Sequence, residues 1–249
     1  MTPHFGIKMR RVGIVVLGIM LVLGFGIATS LFLPAKRVLR VGIVPTGDEF
    51  CRSGGGGFSG VDPDTARYLA KLLGFRDVEF LEVNKDNARD LISSDKIDIY
   101  IGPEIGGGLV FFRGSITVLV RARGEPLNSI GDLRGKVVAA PRGSAIAFWA
   151  RRNLLAGGLI SDLREYGRLR DAIIDLRVGK VQAVLIWTEV AKYALEGEPL
   201  RNYLSIEVGP NRVILAGDDI DISELGEAID QLKSSDEWFN ILNSSFHLR

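Results

Sequence analysis

Residues 60–74, GVDPDTARYLAKLLG, read as a helix together with its start and stop signals. Asp62 or Asp64 can cap the first turn, Ala66, Leu69, Ala70 and Leu73 recur at helical spacing, and Gly74 stands where a helix end favours glycine. The spacing predicts a helix over residues 65–73. Upstream, residues 39–44 (LRVGIV) read as a short buried strand, followed by a turn-rich stretch, 45–60. Its glycines, Gly54 to Gly57, predict a mobile loop; no G-K-[ST] follows them and no G-x-G-x-x-G opens a helix, so a phosphate cradle is not expected. Downstream, a strand at 78–83, a helix at 86–93 and a strand at 97–101 (IDIYI) complete a β-α-β-α-β pattern. This is α/β architecture.

A long apolar strand at 115–120 leads to a linker containing Pro126, and the pattern then restarts. A helical turn at 129–133, a strand at 136–140 and a helix from about residue 144 come first. An amphipathic helix at 168–176, a strand at 183–187 and a helix at 189–195 follow. A strand at 204–208 or 213–216 and two helices, 222–234 and 237–242, close the chain. Two α/β units in series predict two lobes, residues 38–121 plus 207–249 and residues 122–206, with hinges near Arg121 and Ser205. The alternation predicts mainly parallel sheets flanked by helices, with ligands in a crevice at the carboxyl ends of strands.

The 249 residues carry 31 basic and 30 acidic side chains, and 47% of them are hydrophobic. That is too balanced to point to nucleic acid and too apolar for disorder. Cys51 is the single cysteine, and the only histidines, His4 and His247, lie near the chain ends. A disulfide framework and a Cys/His zinc site are excluded, His-based catalysis is not expected, and neither metal nor cofactor is implied.

Residues 12–33 (VGIVVLGIMLVLGFGIATSLFL) hold no charge and are bounded by Arg10-Arg11 and Lys36-Arg37. As a helix at about 1.5 Å per residue they would span roughly 30 Å of hydrocarbon. Residues 1–37 are therefore expected to be one N-terminal membrane anchor, with a cleaved signal segment as the alternative. An anchor would hold the body at the cell membrane and a cleaved segment would leave it secreted. Lys8, Arg10 and Arg11 on one flank balance Lys36, Arg37 and Arg40 on the other, so the charges do not set the side on which an anchored body lies.

The order of landmarks over residues 38–246 resembles the family 3 extracytoplasmic solute-binding proteins, the polar amino-acid class that feeds ABC importers. Leu39-Arg40-Val41-Gly42 is similar to the family's opening strand, and Phe50 falls on the aromatic after it. Gly60 to Gly74 resemble its G-F-D-x-D-x-A-x-x-L-A-x-x-L-G helix, with Val61 in place of the usual aromatic. Lys96-Ile97-Asp98 resembles a strand entry, Ser129 to Val138 the start of the second lobe, Gly143-Ser144 its G-[ST] pair, and Gly179 to Val184 a later strand. The resemblance implies a two-lobed type II periplasmic-binding-protein fold. It also implies a small polar solute held between the lobes, an ABC-transporter permease as partner, a monomer, and no catalysis.

The departures fall where the resemblance places the ligand. Gly102 to Val110 (GPEIGGGLV) contain no arginine for a substrate carboxylate, the position of the ammonium-binding aspartate reads Trp187, and Gly47 replaces a stacking aromatic. A buried zwitterion needs paired charges on the protein, so a standard α-amino acid is not the expected solute. Arg142, beside Gly143 at a helix start, is the candidate anion contact, and Ser144 a second contact or a helix cap. Trp187 can stack on a flat ligand; Glu104 and Arg113 are further candidates, and Phe50 leans toward packing. Two other readings compete. One is an accessory module for a periplasmic partner such as a quinoprotein dehydrogenase, which predicts a filled cleft. The other is a dehydratase-like enzyme, with Glu104 as general acid.

Overall fold

The computed structural model describes residues 38–123, 127–195 and 200–248. The expected anchor lies outside the described residues, and among these no helix is long and apolar enough to cross a membrane.

In chain order the strands are β1 (Leu39–Ile43), β2 (Arg52–Gly54), β3 (Gly57–Ser59), β4 (Val78–Glu82), β5 (Ile99–Pro103), β6 (Leu109–Phe112), β7 (Ser115–Arg121), β8 (Val137–Pro141), β9 (Asp162–Tyr166), β10 (Ala183–Trp187), β11 (Leu200–Glu207) and β12 (Arg212–Ala216). The helices are α1 (Val61–Leu72), α2 (Ala88–Ser93), α3 (Ala145–Ala150), α4 (Leu169–Arg177), α5 (Thr188–Leu195), α6 (Ile222–Lys233) and α7 (Asp236–Phe246). Helix α3 runs on into a π-helical turn, Arg151–Leu155.

Strands β2 and β3 pair by themselves, and the other ten form two five-stranded sheets, ordered β4-β1-β5-β12-β6 and β11-β7-β10-β8-β9. Each has three parallel strands, β4-β1-β5 in the first and β10-β8-β9 in the second. Antiparallel strands join them on the side where the chain crosses: β12 with β5 and β6, and β7 with β10 and β11. The inner parallel strands β1, β5, β8 and β10 are buried on both faces over most of their length, which is why they read as short apolar runs, whereas the edge strands β4 and β9 are half-buried to exposed.

Strand β7 marks a difference from the sequence boundary. Ser115 to Arg121 pair with β10 and β11, so they belong to the second sheet, and the first crossing lies at Arg113-Gly114 rather than at Arg121. An apolar run gives its burial but not the sheet it joins. The return crossing, Val208 to Pro210, lies against the first: Val208 N and Gly209 N both donate to Gly114 O, at 2.9 and 3.2 Å. Only glycine fits at 114, because a Cβ there would collide with the carbonyl oxygens of Gly209 and Pro210.

The glycine run forms a hairpin. Gly55 and Gly56, with φ of 59° and 82°, form the two-residue turn of the β2-β3 hairpin, where positive φ at both positions matches strand twist. Helix α1 starts four residues earlier than the sequence spacing predicts, and no aspartate side chain caps it. Instead Val61 N and Asp62 N donate to the carbonyls of Glu49 and Phe50, at 3.2 and 3.0 Å. Gly60, at φ 122°, makes this possible, since a Cβ would sit 2.6 Å from Phe50 O. The start of α1 therefore fixes the loop that carries Glu49 and Phe50.

Candidate functional site

The loop after β1 folds back on itself. Thr46 N and Gly47 N donate to Cys51 O at 3.0 and 2.9 Å, and Asp48 Oδ1 accepts from Phe50 N at 3.0 Å and from Thr46 Oγ1 at 2.5 Å. This turns Glu49 and Phe50 inward, to 2% and 4% exposure.

The Glu49 carboxylate crosses to the second sheet. Oε1 accepts from Trp187 Nε1 at 2.7 Å and Oε2 from Ala145 N at 3.1 Å, at the first turn of α3. One carboxylate from the first lobe thus holds two donors of the second. Burial pushes the Glu49 carboxyl above its ordinary value, and the Trp187 and Ala145 bonds oppose this without cancelling it. The folded protein therefore binds the Glu49 proton more tightly than the unfolded chain does. The stability this side chain provides falls as pH rises above the ordinary glutamate pKa of about 4.3. Glu49→Gln is isosteric and does not titrate. Its unfolding midpoint should rise relative to wild type between about pH 4 and pH 8, and a constant or falling difference contradicts the assignment.

Beneath Glu49 the rings interlock edge to face: Phe50 lies 5.0 Å from Phe112, 5.3 Å from Trp187 and 6.0 Å from Phe246. The Arg212 guanidinium lies over the Phe50 ring at 4.7 Å from its centroid. Arg212, 4% exposed at the start of β12, forks onto fully buried Asp62 of α1, with Nε to Oδ1 at 3.1 Å and Nη2 to Oδ2. Burial lowers Arg212 to about 10, which leaves it charged at neutral pH. Asp62, read from sequence as a helix cap, is half of this ion pair.

Above this floor a cleft of about 560 Å³ opens between the lobes. Thr46, Asp48 and Lys85 stand on the first-lobe wall, and Phe148, Trp149, Arg152 and Asn153 on the second.

Of the residues expected to hold a solute, Phe50 and Trp187 reach the cleft, but as its floor. Trp187 spends its N–H on Glu49 and an edge contact on Phe50, so it is not a free stacking plate. Ser144 is the helix cap, accepting from Ala147 N at 3.0 Å and donating to Pro141 O at 2.7 Å. Arg142 is exposed, reaches Glu165 O at 3.4 Å, and borders a separate cavity of about 50 Å³ rather than the cleft. Glu104 is exposed and accepts from Asn211 Nδ2 at 2.9 Å; neither it nor Arg113 lines the cleft. The sequence reading missed Glu49, Asp62, Arg212, Lys85 and Arg152. For Arg212 there was a signal, a charge opening the apolar strand RVILA. Among the described residues no cluster of His, Cys, Asp or Glu could hold a metal ion.

No family model matches the chain. A solved polar amino acid ABC uptake transporter substrate-binding protein from Streptococcus thermophilus matches with a TM-score of 0.52 at 20% identity, over 85% of this chain and 86% of that one. The fold is that of a substrate-binding protein. The L-cystine solute receptor of Neisseria gonorrhoeae is also similar, at 19% identity over 85% of this chain and 93% of its own, with a TM-score of 0.46. So is an ancestral arginine-binding protein, at 22% identity over 86% and 100% of the two chains, with a TM-score of 0.42. The floor of the cleft is made of the chain's own aromatic and charged side chains, Phe50, Trp187 and Arg212.

Proposed function

We propose that the chain is an extracytoplasmic solute-binding protein of an ABC importer, anchored by its N-terminal segment. Its solute is held in the cleft between the two lobes and is not a standard α-amino acid. The observation that carries this reading is the bridge from Glu49 to Trp187 and Ala145. It commits a carboxylate buried beneath the cleft to the opposite lobe, leaving it unavailable to a substrate ammonium. Asp48, on the wall above, is turned into its own loop. Binding needs no chemistry, and Glu104, the general acid the dehydratase reading requires, stands outside the cleft.

The test is thermal unfolding of the full-length chain against amino acids, polyamines, organic acids and sugars. A ligand at one hundred times its dissociation constant stabilises by about 2.7 kcal/mol, raising the midpoint by roughly 5–10 °C. The accessory-module reading draws on the same bridge, because a floor closed by the protein's own side chains suits a protein partner. That reading gains if a cooperatively unfolding sample shifts with no compound.

A further inference from the structure

The second-lobe wall of the cleft is one face of α3 and its π turn. Phe148, Trp149, Arg152 and Asn153 follow at helical spacing and all line the cleft. Phe148 is 69% exposed, the largest exposure among the big apolar side chains described. A core does not explain a phenyl ring left in water inside a concave site; a ligand that covers it does. One turn further on, Arg152 has no ion-pair or hydrogen-bond partner among the described residues, whereas its neighbour Arg151 points away to Glu165. On the facing wall Lys85, in the turn after β4, also lacks a partner among the described residues. Against these two cations the wall carries one acid, Asp48, already accepting from Thr46 and Phe50 N. The remaining charge, Arg212, is neutralised by Asp62.

Resting on the solute-binding reading above, we infer that the solute is an organic anion with a flat apolar body, an arylcarboxylate. Its carboxylate lies between Arg152 and Lys85 and its ring against Phe148 and Trp149. A guanidinium presents a planar fork that takes a carboxylate in two parallel hydrogen bonds, and the aromatic pair supplies apolar area beside it. The cleft, at about 560 Å³, falls in the usual range of roughly 300–1,000 Å³ for small-molecule sites.

Indole-3-acetate, phenylacetate and benzoate are the probes, with arginine, glutamine, putrescine and glucose as the other classes, each titrated into the full chain while its unfolding midpoint is followed. At least one arylcarboxylate should raise the midpoint. Arg152→Gln should weaken that binding about ten- to a hundredfold, the worth of one charge-assisted contact. Phe148→Ser should weaken it as well, while Arg151→Gln leaves it unchanged. If arginine, putrescine, glutamine or glucose shifts the midpoint and no arylcarboxylate does, the anion assignment is overturned and the solute-binding reading stands. If nothing shifts it, both fall. If Arg151→Gln weakens binding as much as Arg152→Gln, the effect is one of overall charge and the site is overturned.

Discussion

Arg212→Met should lower the unfolding midpoint by roughly 10 °C. The substitution keeps an apolar stem against Phe50 but removes the guanidinium that forks onto Asp62, and that carboxylate is fully buried. Breaking a buried pair from one side strands a charge in low dielectric, at about 3–5 kcal/mol. For a chain of this size each kcal/mol moves the midpoint by about 2–4 °C. The partner substitution separates the value of the pair from the penalty for halving it. Asp62→Leu combined with Arg212→Met leaves no orphan and should recover most of the loss, since buried pairs replaced together by apolar residues are often nearly neutral. Calorimetry of the three proteins decides. A single variant within about 2 °C of wild type would mean that Asp62 reaches water or another cation.

Trp187→Ala carries the second large effect, about 3–5 kcal/mol for removing a 5%-exposed indole from between Phe50 and Phe112. It also takes from Glu49 one of its two donors across the cleft. Trp187→Phe keeps most of the packing and loses only the N–H, for about 1–3 kcal/mol. The pH dependence distinguishes the two losses. With one donor gone, ionised Glu49 is less well held and its carboxyl rises further, so the folded state takes up still more protons relative to the unfolded chain. The deficit of Trp187→Phe against wild type should therefore widen from acidic to neutral pH, and that pH dependence should disappear in the background of Glu49→Gln. A deficit independent of pH and of residue 49 would reduce Trp187 to a packing residue.

What could be read from the amino-acid order alone divides along the range of the interactions. Helix α1, the strands around it and the restart after residue 126 announce themselves in local periodicity, and each appears in the structure within a few residues. Ser144 was legible as a helix start for the same reason. Its position relative to the cleft was not, because that depends on how two sheets face each other. Glu49 meets Trp187 across 138 residues of sequence, and Arg212 meets Asp62 across 150. No window of sequence contains both partners, so each looked like an ordinary charge: one in a turn, one capping a helix, one opening a strand. The glycine run misled in the opposite sense. Its composition signalled looseness, whereas two positive-φ glycines are what a tight hairpin turn demands.

The two crossings that touch at Gly114 mean that one module is written inside another. Residues 115–207 begin and end as neighbours, Ser115 paired with Glu207, and the chain they interrupt is already paired across the gap, Phe112 with Arg212. In genetic terms the inner module is a cassette. Its ends are close enough to be joined or grafted elsewhere, and the outer module could be closed by a linker of a few residues. The same geometry lets one half change by substitution of its own core and wall while the other keeps its frame, provided the backbone contact at the seam is preserved.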